Sequence, residues 1–354
     1  NYRGNRQTIM LGFSDGTKDG GYLQANWSIY RAKENLTNVT RDQGFEVVFF
    51  DGRGGPPGRG GGNTHDFYAS LGKSIAREEV QVTVQGQTVS SNFGRYASCR
   101  YNLEQLLCAG IENNVFESRR NLEKTEIELL ESLAVEGYKA YLELKEHPKF
   151  VSYLQNVTPL SFFAETKIGS RPVKRGKSNE MRFEDLRAIP FVGSWAQMKQ
   201  NVPGFYGVGS ALLTLKRAGR LDELKTMYRL SLFFRTLLSN SMMSLTKSFF
   251  PATAYLLNDK EYSQFWQLLH KEYELSKTMI LEVSELPELM SNNPANRDSV
   301  KLREKIVLPL ITIQQFALQH LRNLDKDEIK QEAIYKKLVL RCMFGIINAG
   351  RNVA

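Results

Sequence analysis

Two arginines on a glycine frame are the loudest chemical signal in the sequence. Asp51-Gly52-Arg53-Gly54-Gly55-Pro56-Pro57-Gly58-Arg59-Gly60-Gly61-Gly62 follows directly on the apolar run at residues 45–50 (FEVVFF). Glycines let a backbone approach an anion closely, and guanidinium forks grip its oxygens in pairs, so the pattern suits a phosphate. It is neither G-x-x-x-x-G-K-[ST] nor G-x-G-x-x-G, which excludes a mononucleotide P-loop and a dinucleotide fingerprint. Three readings stay open: an ordered anion site, a mobile loop, or an RGG-type segment that binds RNA loosely. Asp15, Lys18 and Asp19 lie just past another apolar run. They could hold a divalent metal and an anion together, or merely form an Asx turn and helix cap. Ile168-Gly169-Ser170-Arg171-Pro172 and Leu186-Arg187-Ala188-Ile189-Pro190 each set one arginine between a β-type run and a proline. They are surface arginines or arginines stiffened in place for an anion.

The elements that must carry these residues follow from periodicity. Residues 7–13 read as a buried strand, 14–21 as a turn-rich loop and 21–39 as a helix. Residues 45–50 read as a strand buried on both faces, and 79–85 alternate as a third strand. Strand, loop, helix, strand is the βα unit, whose active sites sit on the loops at strand C-terminal ends. From about Leu103 the text is mostly helical. Helices are expected over 123–146 (ended by His147-Pro148), 217–257 (divided or kinked at Pro251), 259–283, 302–322 and 327–347. Residues 162–203, with three prolines and dense arginine, are the exception. No internal repeat and no linker is visible. The expected organisation is residues 1–215 carrying barrel strands and arginine loops, then 216–354 as a helical region, in one continuous body.

Composition narrows the function classes. The 354 residues are 42% hydrophobic and 24% charged, ordinary values for a globular protein. No apolar run reaches the ~18 residues of a membrane span. Three cysteines (Cys99, Cys108, Cys342) and four histidines (His65, His147, His270, His320) are scattered without C-x-x-C or H-x-x-x-H spacing. That excludes zinc-ribbon, zincin and disulfide-scaffold readings and favours a reducing, cytoplasmic setting. The excess of 47 basic over 38 acidic residues, a net +9, suits an anionic partner. The chain opens on Asn1 with no signal-peptide pattern, and is expected to be a piece of something longer.

Taken together, the motifs resemble the phosphoenolpyruvate carboxylase family. Gly12-Phe13-Ser14-Asp15-Gly16-Thr17-Lys18-Asp19-Gly20-Gly21 is similar to its GYSDSxKDxG signature, and residues 50–62 to its FHGRGGxxGRGGG loop. The likeness continues in order through Val82-Thr83-Val84-Gln85-Gly86, Thr158-Pro159, residues 169–175, residues 186–190 with Trp195, Phe233-Phe234-Arg235, Lys247, Leu302-Arg303 and Arg351-Asn352.

The resemblance implies a mainly α protein with α/β-barrel elements: the C-terminal part of a (β/α)8 (TIM) barrel wrapped by many helices, normally a homotetramer. It implies a lyase that carboxylates phosphoenolpyruvate with bicarbonate, through carboxyphosphate and an enolate, to oxaloacetate and phosphate, with Mg²⁺ or Mn²⁺. Asp15 would be one metal carboxylate. Arg53, Arg171 and Arg187 would hold the phosphoryl group and the bicarbonate-derived carboxyl, and Lys18 would place bicarbonate. Arg59 belongs to the same catalytic loop. With Lys247, Arg303 and Asn352 it would also form the site of a feedback inhibitor, aspartate or malate, towards which a flexible loop could swing. The family's catalytic histidine and second metal carboxylate lie before the equivalent of Asn1, in a missing N-terminal part. Nucleic acid and membrane partners are not expected.

The sequence departs from the family pattern at four places. Asp51 replaces the histidine before Gly-Arg-Gly-Gly, Gly16 replaces a serine, Gln87 replaces a glutamate, and the terminus is Asn352-Val353-Ala354 in place of Asn-Thr-Gly. An anion at position 51 threatens an anionic substrate unless Arg53 or the metal neutralises it. The alternative is therefore a catalytically impaired or regulatory homologue that keeps the anion sites.

Overall fold

A computed structural model of the chain describes residues 4–84, 88–115, 121–166, 181–325 and 328–350. Three parallel strands, β1 (Arg6–Gly12), β2 (Glu46–Gly52) and β3 (Val80–Val82), lie in that order in one sheet. Val47, Val48 and Phe49 are all buried, so β2 is covered on both faces, as its continuous apolar run requires. The register sets Gly12 beside Gly52 and Asp51 beside Val82. All three C-terminal ends therefore open on one edge, and the chain leaving each strand enters the same neighbourhood. β3 is shorter than the expected run, whose last residue, Gln85, lies outside the described residues. β1 forms the far edge of the sheet, and Met10 on it is exposed. A closed barrel is not seen among the described residues, which form a mostly helical body around this small sheet.

The segment expected to be a turn-rich loop is instead helix α1 (Phe13–Gly20). Its glycines suggested a turn, but the chain leaves β1 straight into a helical turn that is closed by the Thr17 hydroxyl donating to the Phe13 carbonyl. Gly12 occupies the N-cap, so neither Asp15 nor Asp19 caps the helix. Helix α2 (Tyr22–Asp42) returns to β2 and buries Trp27, Tyr30 and Lys33 on one face. A short α3 (Thr64–Ala69) follows the glycine loop, its first turn closed by the Asn63 side chain accepting from the Asp66 amide.

Helices α4 (Tyr96–Val115), α5 (Lys124–Glu146), α6 (Phe150–Asn156) and α7 (Phe163–Thr166) lead to α8 (Ala188–Gln197). A capping box between Glu123 and Glu126 starts α5, and His147 ends it as expected. Next come α9 (Val208–Arg217), α10 (Leu221–Leu230), α11 (Leu232–Thr246), α12 (Ser263–Ser284), α13 (Pro294–Asn323) and α14 (Ile329–Gly350). The expected helix over 217–257 is thus split. Ser231 in extended conformation ends α10 and caps α11 by accepting from the Phe234 amide, and a 3-10 segment (Phe250–Asn258) carries Pro251. Serine at an N-cap out-competes the continuous periodicity. The main apolar core runs from Phe13 to Met290 and takes in Leu212 and Leu215 of α9 with Leu224 and Met227 of α10. It thus crosses the expected boundary at 215/216.

Candidate active site

The glycine loop is folded, compact and nearly solid. A 3-10 turn (Pro57–Arg59) sits at its centre. The Gly54 amide donates to the Arg59 carbonyl at 2.8 Å, and the Gly61 amide donates to the Pro56 carbonyl at 3.0 Å. Gly60 takes φ +75°, and a β-carbon there would meet the Phe13 ring at 2.4 Å. At Gly61 a β-carbon would lie 2.0 Å from the Gly55 carbonyl oxygen. Glycine is needed here for close approach rather than for looseness.

The two loop arginines point to different neighbourhoods. Arg53, just beyond β2, is buried; its Nε donates to the Gly60 carbonyl at 2.7 Å and its guanidinium carbon lies 3.9 Å from the Phe67 ring centre. Its Nη2 is buried with no hydrogen-bond partner among the described residues. Arg59 is more deeply enclosed. Its Nε donates to the Ser14 hydroxyl at 3.2 Å, and Gly54 packs against its guanidinium. Burial lowers the Arg59 pKa to about 10, against a partial lift from the Asp15 carboxylate, so it stays charged at neutral pH.

A cavity of about 600 Å³ opens at the C-terminal ends of β2 and β3. Arg53, Lys247 and Arg303 line it together with loop glycines and Thr64, and none of the described residues that line it is an Asp or Glu. A smaller cavity of about 50 Å³ shares Lys247 and Arg303 and adds Lys199, Asn201 and Glu304. Lys247 Nζ is buried without a hydrogen-bond partner among the described residues. Burial first, then the charges of Arg303 and Lys199, push its pKa down to about 7. Lys199 itself is held by Glu304 at 2.8 Å.

The expected site residues are therefore sorted. Arg53, Lys247 and Arg303 share one cavity, and Arg59 does not line it. In the observed conformation the loop is a packed turn whose Arg59 is enclosed beside Ser14. Lys18 is buried in a separate place, where its Nζ pairs with Asp19 at 2.8 Å and donates to the Phe183 carbonyl at 3.3 Å. Asp15 is exposed in the first turn of α1, where the helix dipole favours a carboxylate. Arg187 does not follow a strand. A turn and a single bridging residue precede it, and it stands in extended conformation at the N-cap of α8. Its Nε, like Arg53 Nη2 and Lys247 Nζ, is buried and has no hydrogen-bond partner among the described residues. Native interiors leave few such atoms, so three of them on residues expected to bind anions is informative. Arg171, residues 169–175 and Asn352 lie outside the described residues.

Sequence reasoning missed one partner. Asp51 does not face the cavity: it is fully buried, and its Oδ2 accepts from Lys33 Nζ at 2.8 Å and from the Tyr68 hydroxyl at 2.9 Å. A lysine from α2 pairs with it, while its other oxygen, Oδ1, is buried without a hydrogen-bond partner among the described residues. Burial pushes the Lys33 pKa down while Asp51 draws it back up. The available signal was a lysine at the spacing Trp27, Tyr30, Lys33, Thr37, on the buried face of an amphipathic helix.

These features can be set beside known proteins. The family model described as phosphoenolpyruvate carboxylase matches residues 1–353. The chain belongs to the phosphoenolpyruvate carboxylase family. It is 33% identical over 330 residues to a phosphoenolpyruvate carboxylase of Rhodothermus marinus, covering 91% of this chain and 35% of that one. It is 33% identical over 362 residues to one of Corynebacterium diphtheriae (99% and 39%) and 34% identical over 358 residues to one of Nocardia farcinica (99% and 38%). The chain therefore spans little more than a third of the length of these phosphoenolpyruvate carboxylases. Within the family match, the cavity at the ends of β2 and β3 is the candidate active site.

Proposed function

We propose that this chain is the C-terminal catalytic part of an enzyme that carboxylates phosphoenolpyruvate with bicarbonate to oxaloacetate and phosphate. One observation carries the reading: Arg53, one of whose guanidinium nitrogens is buried without a partner among the described residues, lines a cavity at the ends of parallel strands that it shares with Lys247 and Arg303 and to which no described Asp or Glu contributes. In the reaction, bicarbonate oxygen attacks the phosphorus of phosphoenolpyruvate. The phosphoryl group passes to give carboxyphosphate and leaves the enolate of pyruvate, whose methylene carbon then takes up the carboxyl while phosphate departs. Arg53 and Arg187 would hold the migrating phosphoryl and carboxyl oxygens, as fixed guanidinium donors do best where charge develops. Arg171 would join them, and Lys18 would steer bicarbonate.

Asp15 is a single hard ligand where Mg²⁺ or Mn²⁺ needs several oxygens, and the described residues contain no group of three metal-binding side chains. It would contribute one carboxylate to a site completed by upstream residues. A bound ion would stabilise the enolate oxygen. Lys247 and Arg303, with Asn352, would receive the two carboxylates of aspartate or malate and so provide feedback regulation, and Arg59 would join them through a movement of the whole loop. A homotetramer in the cytoplasm is part of the same reading. No helix among the described residues is long and apolar enough to cross a membrane. The rival reading, an impaired homologue, drew on an Asp51 charge facing the substrate; the Lys33–Asp51 pair supports the active reading over it.

Oxaloacetate production coupled to NADH oxidation by malate dehydrogenase tests the proposal. The complete protein should oxidise NADH only with phosphoenolpyruvate and bicarbonate both present. The isolated 354 residues, lacking the upstream histidine and carboxylate, should not. A complete protein that binds phosphate but turns nothing over would favour the regulatory homologue.

A further inference from the structure

A carboxylate two residues from the key arginine endangers an anion site. A buried, uncompensated carboxylate is so costly that it captures the nearest cation. Here that cation would be Arg53, whose guanidinium lies over the Phe67 ring and 5.5 Å from the centre of the Tyr68 ring, while the Tyr68 hydroxyl already touches Asp51. An inward turn of Arg53 would cancel the charge that the cavity presents. We propose that Lys33 is a positioning residue of the carboxylase: by engaging Asp51 from below, with Tyr68, it leaves the Arg53 guanidinium free to hold the phosphoryl group.

The contacts fit this division of labour. Lys33 Nζ lies 2.8 Å from Asp51 Oδ2, and both side chains are essentially without solvent contact. Lys33 is held from α2, behind the sheet, and lines neither of the cavities that Lys247 and Arg303 share. The ammonium is also cupped by aromatic faces, 4.9 Å from the Phe49 ring centre and 5.6 Å from that of Phe67. Arg53 in turn has no ion pair with a carboxylate among the described residues and is oriented by the Gly60 carbonyl, the Phe67 face and the Tyr68 hydroxyl. Asp51 and Lys33 thus behave as one neutral unit inserted where the family signature has a histidine. A histidine needs no such lysine.

The proposal rests on the carboxylase reading, and its test keeps the two separable. In the complete protein, Lys33→Gln removes the charge but keeps a hydrogen-bond donor, so the fold survives. The KM for phosphoenolpyruvate should rise tenfold or more, with a smaller change in kcat, and inorganic phosphate measured by calorimetry should bind correspondingly more weakly. Lys33→Gln with Asp51→Asn removes both charges and should restore KM and phosphate affinity to within threefold of wild type. A folded Lys33→Gln protein with wild-type KM and phosphate affinity would overturn the positioning role, as would a double variant no better than the single one. If Lys33→Gln does not fold, the double variant decides alone: wild-type-like binding supports the neutral unit, and tenfold weaker binding overturns it. A wild-type complete protein with neither turnover nor phosphate binding would sink the carboxylase reading and this inference with it.

Discussion

Two buried lysines have opposite surroundings, and the contrast separates structure from site. Lys33 has a carboxylate at 2.8 Å, a phenol sharing that carboxylate and aromatic rings around it. Lys247 has Arg303 and Lys199 for neighbours and no hydrogen-bond partner among the described residues. Burial costs each of them, but only Lys33 has its cost offset by the protein. With a pKa of about 7, Lys247 meets its burial by losing charge near neutral pH, whereas Lys33 meets it with a counter-ion. In the proposed reading the first lysine belongs to an anion site and the second to the support behind it.

The contrast breaks most visibly on stability. Lys33→Met strands a fully buried Asp51 and should cost ~3–5 kcal/mol in denaturant unfolding. Lys247→Met strands nothing and should leave the midpoint unchanged or raise it. Equal losses at the two positions would mean that Lys247 has a partner after all. Arg53→Ala comes next. It should remove a contact to developing charge, worth ~3–4 kcal/mol, or two to three decades in kcat. A stopped-flow or coupled assay of the complete protein that finds less than a tenfold loss would take Arg53 out of the catalytic site.

Much of this was legible in the sequence, for physical reasons. The FEVVFF run and the helical periodicity of residues 123–146, ended by His147-Pro148, forced β2 and α5, and the glycine–arginine spacing pointed to the anion loop. The helical α1 was not legible, because glycines at its ends mimic a turn until Gly12 is seen to act as the N-cap. Nor was the partition of Arg53 from Arg59, since six residues of glycine-rich chain fix no direction until packing against Phe13 and Ser14 does. The Lys33–Asp51 pair needed the parallel register of β1 and β2, which brings α2 back under Asp51 and which no local pattern encodes.

Lys247→Ala is the next smaller test. It should weaken aspartate or malate binding by ~1.5–3 kcal/mol, the range for a charged hydrogen bond, while kcat stays close to wild type. Calorimetric titration that finds unchanged affinity would remove the inhibitor site from this position. Its pH dependence has a definite sign. The folded lysine titrates at about 7, and the unfolded one near its ordinary ~10.4. Between those values the unfolded chain binds more protons, so stability should rise with pH over that window, and Lys247→Met should abolish the rise. Dicarboxylate affinity should run the other way, strongest below pH 7, where the ammonium is charged. The smallest effect is expected for Tyr68→Phe, which removes one hydrogen bond to Asp51 and keeps the ring, costing ~1 kcal/mol. A loss as large as that of Lys33→Met would show that the hydroxyl, not the ammonium, carries the pair.

A hinge needs free volume, and on its packed side, away from the cavity, the glycine loop has little. Any β-carbon added at Gly54, Gly60, Gly61 or Gly62 would intrude to 2.7 Å or closer on Arg59, Phe13, Gly55 or Asn240. Such a segment transmits force instead of absorbing it. If the site opens and shuts, residues 54–62 travel as one rigid plug wedged between α1 and α11, and the bending falls on the segments at either end. Its amides should then exchange with solvent as slowly as those of a helix interior, which is unusual behaviour for a stretch so rich in the residue most often credited with suppleness.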